Sequence, residues 1–396
     1  MGSGGREHAL AWKLAQSPSL DELHAAPGNP GIATLGHCHP VRAEDGEALL
    51  SLARAVGFDL VVIGPEVPLV AGVADHLRLN GVLVFGPGAA AARIEGSKAF
   101  AKEVMSAAGV PTASTLDVAR APCVVKADGL AAGKGVFVCR TDGEVQAALR
   151  SISGPFVVEE LLEGEEVSLL AVAAGHDVVG LPAAQDYKRA GDGDTGPNTG
   201  GMGSYSPVPA FSEEDAAAAV EIVHRPVLAE LARRGTPFTG VLYAGLMLTE
   251  SGPRVLEFNC RFGDPETQSL LPRLDGDLLE ALAAAAAGDV TDVELAPATD
   301  RAAVTVVLAA GDYPAAGDSG SAIDGLAEAE AAGGLVFHCG TARRGDGVVT
   351  SGGRILNVTG VGATIDEARD CAYAAAERIS FPGMKYRRDI AALAHA

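Results

Sequence analysis

Short apolar runs alternate with amphipathic segments along the first part of the chain. The run FDLVVIGPE at 58–66 is rich in β-branched residues and ends in Gly-Pro, and GVLVFGPG at 81–88 repeats that form. Each run is typical of a buried strand that feeds a loop. Amphipathic segments accompany them, and in the first of these Leu10 and Leu14 share one helical face. Strands that alternate with helices predict a parallel α/β sheet over residues 1–92.

A glycine-rich turn opens the chain and leads into the first amphipathic segment. Such a turn normally follows a strand, whereas only Met1 precedes GSGGREH. We therefore expect the sheet to lack its first strand and the loop at residues 2–6 to be perturbed. The turn does not match a dinucleotide fingerprint, because Glu7 stands where the third glycine is needed. Backbone N–H groups at a helix start, with the charge of Arg6, favour a phosphate site, and a plain tight turn is the alternative.

The 396 residues are too many for one ordinary core, so further domains are expected. Residues 93–299 contain strand-like runs around glycine-bearing turns and predict a central region. Residues 300–396 alternate strands with the helix TIDEARDCAYAAAERIS and predict a small α+β domain. The segment GDVTDVELAPATD at 288–300 is the best candidate boundary between these two regions.

Composition excludes several classes of protein. A net charge of −21 argues against binding to nucleic acid. No apolar run is long enough to span a bilayer, and no signal peptide is visible, so no membrane partner is expected. Six cysteines without a Cys-x-x-Cys pair indicate reduced thiols and a cytoplasmic location. We interpret His37, Cys38 and His39 as a loop or strand end rather than as a metal site.

The segment VLEFNCRFGDPETQ at 255–268 carries the strongest candidate chemistry. Alternation predicts a strand that turns Glu257 and Asn259 to one face, and this pair of oxygen donors suits Mg²⁺. Arg261 and Asp264 follow at the end of the strand, where a ligand would lie. Metal, cation and acid in one segment are what phosphoryl chemistry needs. The alternative is the exposed polar face of a half-buried strand.

A second candidate is the glycine-rich segment KADGLAAGKGV at 126–136. Lys126 ends the predicted strand CVVK, and Lys134 lies in a loop with Gly133 and Gly135. Such a loop can close over a polyphosphate and donate backbone N–H groups while the lysines neutralise charge. It is not a P-loop, because a glycine follows the lysine. A flexible hairpin with solvated lysines is the alternative.

Two further polar segments carry weaker signals. In VVEELLEGEEVSLL at 157–170, backbone groups from Glu159 onward could bind an adenine edge and Glu166 could accept from ribose hydroxyls, or the segment is solvated surface. The stretch at 185–207 has too many charges and glycines for a core and predicts a long functional loop. Its charged residues, Asp186 among them, could meet a charged substrate, and a disordered surface loop is the competing interpretation.

Together these segments closely resemble the phosphoribosylamine–glycine ligases, also called glycinamide ribonucleotide synthetases, within the ATP-grasp superfamily. The resemblance covers nearly the whole chain. Pairing of DTGPNTGGMG with RFGDPETQ is specific to the family, whereas Glu-x-Asn is shared across the superfamily. The other matching segments are GSGGREHAL, PGNPG, VVIGPEVPL, GSKAFAK, VVKADGLAAGKGV, VEELLEGEEVSL, QDYKR, TGVLYAGLM, GGRILNVTGVG and YRRDI.

The resemblance implies an α/β and α+β multidomain fold, with an N-terminal Rossmann-like domain, central ATP-grasp domains and a small C-terminal α+β domain. A mobile lid would lie at about 112–180. The implied reaction joins glycine to 5-phosphoribosylamine with ATP and Mg²⁺ or Mn²⁺, through a glycyl phosphate, in purine synthesis. It implies a monomer whose only partners are small molecules.

The resemblance also implies individual roles. Metal binding would fall to Glu257 and Asn259, and catalysis to Arg261, Asp264 and Lys188. The loop at 195–203 would keep water off the acyl phosphate. Substrate contacts would come from Gly4, Gly5, Arg6, Asn29, Asp186, Thr199, Gly200 and Gly201. ATP contacts would come from Lys98, Lys126, Gly133, Lys134, Gly135, Glu159, Glu160, Leu161, Leu162 and Glu166.

Two alternatives and one gap stay open. The chain could be an ATP-grasp ligase for another carboxylate, although DTGPNTGGMG argues against this. It could also be a nucleotide-binding module that lost turnover with its first strand. The strand VLYAGLML carries no acid, so the ligands of a second metal ion are not identified.

Overall fold

The structure, a computed structural model, describes residues 1–130 and 135–392. Gly133 and Lys134, two of the predicted ATP contacts, lie outside the described residues, whereas Gly135 lies within them.

The first region folds as alternating helices and very short strands. Strands β1 and β2 pair in parallel, and so do β3 and β4, which confirms the predicted parallel arrangement. The elements are α1 (Gly5–Leu14), β1 (His24–Ala25), β2 (His37–Cys38), α2 (Gly46–Val56), β3 (Val61–Val62), α3 (Glu66–Val70), α4 (Val73–Leu79), β4 (Val84–Phe85) and α5 (Ala89–Gly96), with a 3₁₀ turn at Ile32–Thr34.

Met1 and Gly2 lie between β1 and β3 and bond to both. The Gly2 N–H donates to the Ala26 carbonyl at 2.8 Å, next to β1. The Met1 amino group donates to the Val62 carbonyl of β3 at 2.6 Å. These two residues thus bridge the parallel pairs, and helix α1 begins at Gly5 as the pattern predicts. A mainly apolar cavity of about 590 Å³ lies beside Met1 and contains none of the predicted site residues.

The central region is built on a four-stranded antiparallel sheet in the order β15-β14-β8-β9. Both faces of its middle strands are buried, which explains the continuous apolar runs SLLAVAA and VLYAGLML. The helices and strands of this region are α6 (Lys98–Ala108), β5 (Cys123–Ala127), β6 (Val136–Cys139), α7 (Asp142–Ser151), β7 (Phe156–Glu160), β8 (Glu165–Gly175), β9 (Asp177–Gly180), β10 (Gln185–Asp186), β11 (Arg189–Gly191), β12 (Thr195–Asn198), β13 (Gly203–Ser206), α8 (Glu213–Ala219), α9 (Arg225–Arg233), β14 (Phe238–Thr249), β15 (Gly252–Asn259), α10 (Glu266–Leu270), β16 (Leu274–Asp275) and α11 (Leu278–Ala287), with a π-helical turn at Val220–His224 and a 3₁₀ turn at Leu271–Arg273.

A small sheet, β6-β5-β7, packs with α7 around its own core. Cys123, Val125, Cys139, Val145 and Val158 fill that core. Strand β8, by contrast, pairs with β14 along its whole length. The predicted lid range of 112–180 therefore includes a strand of the central sheet, and only the β5–β7 unit has a separate core.

The last region is an α+β unit whose five-stranded sheet has the order β10-β13-β18-β23-β20. Strands β10 and β13 come from the long glycine-rich loop, so the sheet joins the central region to the C-terminal one. The remaining elements are β17 (Ala296–Pro297), β18 (Ala302–Ala309), β19 (Asp318–Ala322), α12 (Leu326–Ala331), β20 (Leu335–His338), β21 (Thr341–Arg344), β22 (Gly347–Gly352), β23 (Arg354–Gly362) and α13 (Ile365–Ala376). Within the described ranges, no helix is long and apolar enough to cross a membrane.

Three buried histidines make stability depend on pH. Burial lowers the pKa of His8 to about 3 and the pKa values of His224 and His338 to about 4. The unfolded chain therefore binds more protons than the folded one below pH about 6.5, so stability falls as the pH drops from there toward the folded pKa values. Each group contributes a slope approaching about 1.4 kcal/mol per pH unit in that window.

We predict that His224→Gln flattens the pH dependence of the unfolding midpoint between pH 7 and pH 5. The exposed His176 supplies the control, because His176→Gln should leave the slope unchanged. Unfolding is followed by circular dichroism at closely spaced pH values. An unchanged slope in His224→Gln would contradict the assignment, whatever the variant's absolute stability.

Candidate active site

A group of polar side chains interrupts one face of the central sheet. Glu257 and Asn259 of β15 lie opposite Gly245 and Tyr243 of β14. Ser168 of β8 lies opposite Gly245 from the other side. Since side chains alternate along a strand, these groups face the same side of the sheet. We call this set, with Glu166 of β8, the polar patch (Glu166, Ser168, Tyr243, Glu257 and Asn259).

Lys188 lies over the polar patch. Its Nζ pairs with Glu166 and lies 4.0 Å from Oε1 of Glu257. Burial acts to raise the pKa of Glu257, but Lys188, Lys126 and Lys98 act in the opposite direction, and the pKa is lowered. Glu257 is therefore a carboxylate at neutral pH, as a metal ligand must be.

Asp186 is a further carboxyl group beside Lys188. Burial raises its pKa well above the usual value, although Lys188 opposes this. Burial acts to lower the pKa of Lys188, but Glu166 and Asp186 raise it well above its usual value. Each of these two groups favours the ionised form of the other, because their charges are opposite.

Buried charges also surround Lys126 on β5. Its Nζ lies 2.6 Å from Oε2 of Glu159 and donates to the Leu256 carbonyl at 2.8 Å. Lys102 of α6 approaches the other oxygen of Glu159 at 3.3 Å. Glu159 is only 2 % exposed, and both of its carboxylate oxygens are paired with lysines. An adenine contact at this residue is thus left to its backbone.

The side chain of Glu160, the last residue of β7, is already engaged by protein groups. The Glu160 carboxylate accepts from the Ser114 N–H at 2.8 Å and pairs with Arg254 at 2.9 Å. The bond from Ser114 is the main reason that its pKa is lowered. Backbone groups from Glu160 to Leu162 therefore stay the candidates for an adenine edge, with Leu161 and Leu162 half-buried.

Lys98 begins α6 beside the start of the glycine-rich loop. Its Nζ donates to the Gly129 carbonyl at 3.0 Å, and its N–H donates to Oδ1 of Asp128 at 2.6 Å. The Ala127 N–H donates to the Gly135 carbonyl at 2.8 Å and closes the base of the hairpin. The structure thus joins Lys98 to the loop that carries Gly135.

Arg261 is held between two carboxylates at the end of β15. Its Nη2 donates to Oε1 of Glu95 at 3.0 Å, and its Nε donates to Oε2 of Glu66 at 3.2 Å. Burial acts to lower its pKa, but Glu95 and Glu66 raise it. The guanidinium stays charged and has a defined orientation.

Asp264 turns toward the C-terminal region. Its Oδ2 lies 3.1 Å from Nη2 of Arg354, and its Oδ1 accepts from Gln268 at 2.9 Å. Burial acts to raise its pKa, but Arg354 and then Arg6 lower it, and the net shift is downward. Asp264 is therefore an ionised group already engaged with Arg354.

The segment 199–201 packs against the same turn. Thr199 bonds to the Lys188 carbonyl through both its N–H, at 2.7 Å, and its hydroxyl, at 2.9 Å. At Gly201 the backbone has φ +104°, and a Cβ would stand 2.4 Å from Cδ of Pro265. Gly200 lies between them, with its N–H donating to the Tyr313 hydroxyl at 2.9 Å. The three residues thus lie between Lys188 and Asp264.

The start of α1 is less open than expected. The Gly4 N–H donates to Oε2 of Glu7 at 2.6 Å, and Nε of Arg6 donates to Oε1 of Glu7 at 2.7 Å. The Glu7 carboxylate thus lies where a phosphate was predicted, while Gly5 packs tightly against Asn357.

The side-chain amide of Asn29 is fully hydrogen-bonded. Its amide nitrogen donates to the carbonyls of Ser3, at 2.9 Å, and His338, at 2.8 Å. Its oxygen accepts from the N–H groups of Gly31, at 3.0 Å, and Ile32, at 2.9 Å. We therefore assign Asn29 a structural role and omit it from the substrate site proposed below.

Several residues of the site escaped the sequence analysis. Tyr243 and Ser168 lie within apolar strand runs, and Arg354 lies about 90 residues beyond its partner. Glu95 immediately precedes the GSKAFAK motif, so its position beside a predicted phosphate lysine was the one available signal. The other site residues not predicted are Glu7, Glu66, Lys102, Gln268 and Glu266, whose Oε1 accepts from the Ser168 hydroxyl at 3.1 Å.

Lys126 of the small β6-β5-β7 sheet donates to the Leu256 carbonyl of the strand that carries Glu257, so the two sheets meet beside the polar patch, an arrangement typical of an ATP-grasp enzyme. Profiles described as the N, ATP-grasp (A) and C domains of phosphoribosylglycinamide synthetase match residues 1–95, 96–267 and 303–393. The chain belongs to this family.

Relatives of the same family match the chain over its whole length. A phosphoribosylamine–glycine ligase from Streptomyces coelicolor is 52 % identical and covers 100 % of this chain and 98 % of its own length. One from Rhizobium meliloti is 48 % identical and covers 98 % and 96 %. A crystal structure of a phosphoribosylamine–glycine ligase from Thermotoga maritima has a TM-score of 0.83 at 37 % identity, with 98 % of each chain covered.

More distant structures share the fold alone. The biotin carboxylase domain of a 2-oxoglutarate carboxylase from Hydrogenobacter thermophilus has a TM-score of 0.69 at 16 % identity. It covers 97 % of this chain and 90 % of that one. The N-terminal, ATP-grasp and C-terminal arrangement is therefore common to enzymes with quite different sequences.

Proposed function

We propose that the chain ligates glycine to 5-phosphoribosylamine with ATP, giving glycinamide ribonucleotide, ADP and phosphate in purine biosynthesis. The observation that carries the proposal is the presence of all three domains of one ligase family along a single chain. The polar patch, with Lys98 and Lys126 nearby, supplies the matching chemistry.

The donor groups fit a magnesium ion, with Mn²⁺ as the alternative. Glu257 is ionised and stands two residues from Asn259 on one strand, and Mg²⁺ bound to nucleotide phosphates usually takes one or two protein ligands. Bound there, the ion would neutralise charge on the phosphates. Among the described residues, no group of three His, Cys, Asp or Glu side chains forms a metal site of its own.

The residues then divide the work of two steps. Lys126 and Lys98 hold the phosphates while a carboxylate oxygen of glycine attacks the γ-phosphorus and ADP leaves, giving glycyl phosphate. The amine of phosphoribosylamine attacks the acyl carbon, phosphate leaves, and the amine loses a proton. Arg261 stabilises negative charge in these steps. Asp186, the carboxyl group beside Lys188, binds the ammonium group of glycine.

The remaining residues exclude water from the site and bind the adenine, the ribose and the second substrate. The substrate side of the site is closed by Thr199, Gly200, Gly201, Asp264 and Lys188. These residues exclude water from the acyl phosphate. The backbone from Glu159 to Leu162 takes adenine. Glu166 takes the ribose, after exchanging its contact with Lys188. Gly4, Gly5 and Arg6 belong to the proposed substrate site, where a phosphate would replace the Glu7 carboxylate at the Gly4 N–H and at Arg6.

We further propose three domains at 1–92, 93–299 and 300–396, with the moving lid restricted to the β5–β7 unit. The protein acts as a cytoplasmic monomer. Elution volume in size-exclusion chromatography with light scattering tests the oligomeric state directly.

The decisive experiment measures ADP release with ribose 5-phosphate and ammonia, which form phosphoribosylamine in solution, and with glycine or another amino acid. We expect ADP release only with glycine, and mass spectrometry should detect glycinamide ribonucleotide. Release with another carboxylate alone would support a different ATP-grasp ligase. Nucleotide binding without any turnover would support an inactive module.

Lys134, outside the described residues, gives a separate prediction. If it lies over the ATP phosphates, Lys134→Ala should raise the KM for ATP by about tenfold or more, the loss expected for one charge-assisted contact, and change the KM for glycine much less. Both constants are measured on one preparation, so the glycine value is the internal control. Equal increases in the two constants would argue against this position.

A further inference from the structure

Glu95 is a buried carboxylate that the proposed reaction does not use. It lies near the end of α5, with its side chain 7 % exposed. It is also the last residue of the stretch that matches the N domain of the family, whereas its partners belong to the ATP-grasp domain. A buried carboxylate is costly unless it is paired, so its contacts identify what it does.

The two oxygens of Glu95 bind adjacent residues at the end of β15. Oε2 accepts from the Cys260 N–H at 2.8 Å. Oε1 accepts from Nη2 of Arg261 at 3.0 Å. Cys260 is fully buried and follows Asn259 directly, so the first bond fixes the backbone beside a candidate metal ligand. The second bond fixes the plane of the guanidinium.

The other contacts of Arg261 are weaker constraints. Glu66, at 3.2 Å from Nε, is more exposed than Glu95, with side chains 27 % and 7 % exposed respectively. The Phe262 carbonyl accepts from Nη1 at 3.2 Å. Glu95 therefore supplies the shortest and most buried bond to this guanidinium.

We propose that Glu95 is a positioning residue, which orients Arg261 and holds the end of the Asn259 strand in register with the nucleotide site. This proposal rests on the function proposed above. Through Glu95 the N-terminal region directly determines the geometry of the phosphoryl-transfer site, although none of its side chains needs to touch the nucleotide.

The test is Glu95→Gln, which keeps the shape of the side chain. Its amide oxygen still accepts from the Cys260 N–H, but its NH₂ group then faces the guanidinium, which loses its charged partner. We expect kcat to fall about 10- to 100-fold, the range for residues that orient a catalytic group. The KM values for ATP and glycine should change less than threefold. Glu103→Gln, at a side chain 68 % exposed on α6, is the control and should match the wild type.

A double-mutant cycle separates positioning from general support of the fold. If Glu95 acts through Arg261, then Glu95→Gln should cost less than about threefold in an Arg261→Met background, because the cation that Glu95 pairs with is then absent. Equal losses in both backgrounds would overturn the proposal. So would a Glu95→Gln variant with wild-type kcat.

A binding measurement keeps the test independent of turnover. We expect Glu95→Ala, which also loses the bond to Cys260, to reduce the rise in unfolding temperature caused by ADP with Mg²⁺, while Glu95→Gln reduces it less. An unchanged rise in Glu95→Ala would contradict the second half of the proposal. If the wild type binds the nucleotide but never ligates glycine, the proposed function fails, and this binding comparison still tests Glu95.

Discussion

Replacing Glu257 by glutamine should lower kcat by about a thousandfold or more while the protein stays folded. The carboxylate is ionised, since the surrounding lysines lower its pKa against the effect of burial. A neutral amide cannot neutralise a divalent ion bound to phosphates, and removing one electrostatic contact from a transition state costs about 10²- to 10³-fold. Loss of the metal adds to that cost. ADP release at saturating ATP and glycine measures the effect.

Glu250→Gln is the matched control for this prediction. Glu250 is exposed in the turn between β14 and β15, so it shares the hairpin with Glu257 but not the polar patch. Its variant should retain the activity of the wild type. The unfolding temperatures of both variants should stay near that of the wild type, because neither change removes packed atoms. An active Glu257→Gln enzyme would exclude this residue from the metal site.

Replacing Arg387 by methionine should markedly destabilise the protein. The side chain is 1 % exposed and bonds to Asp194 Oδ1 at 2.7 Å and to Asp389 Oδ2 at 2.6 Å. It also donates to the Arg189 carbonyl at 3.1 Å and lies 4.7 Å from the centre of the Tyr187 ring. These contacts tie the C-terminal segment to the glycine-rich loop.

Methionine fills part of the space but satisfies none of these acceptors. Removing one partner of a buried ion pair costs about 3–5 kcal/mol, and the exposure of Asp194 reduces this to about 2–3 kcal/mol here. The loop at 189–198 should also become more accessible, because its anchor is lost. Denaturant unfolding and limited proteolysis measure the two effects.

Arg388→Met is the control, since Arg388 is the exposed neighbour of Arg387. A surface substitution of this kind should change stability by less than about 0.5 kcal/mol. Equal stability of the two variants would show that the buried network contributes little. Activity should also fall in Arg387→Met, because Lys188 and Thr199 flank the anchored loop and bond to each other.

The elements that the sequence predicts well are those with local signals. The strand carrying Glu257 and Asn259 follows from simple alternation, and the structure has it at Gly252–Asn259. The helix after the opening turn follows from Leu10 and Leu14, which share one buried face, and the structure has it at Gly5–Leu14. In both cases the pattern of apolar residues lies within one short segment, so the element is predictable without knowledge of distant contacts.

The pairing of charges was not predictable in the same way. Asp264 and Arg354 are far apart in the chain, and so are Arg261 and Glu95, yet each pair meets at one site. Nothing in the local pattern of Glu7 indicates that its carboxylate covers the N–H group of Gly4. Such partners depend on how whole elements pack, which a single sequence does not display.

By itself the sequence determined the chemistry available to this protein: two oxygen donors on one strand, lysines in glycine-rich surroundings, and the segments typical of one ligase family. Only the tertiary structure decided which of those groups are free to act. In the structure the Asn29 side chain bonds only to backbone groups, and the Glu159 carboxylate pairs with two lysines. Arg261 is held between Glu66 and Glu95 of the N-terminal region. The physical reason is that a residue's type sets which contacts it can make, whereas burial and distant charges set which ones it does make.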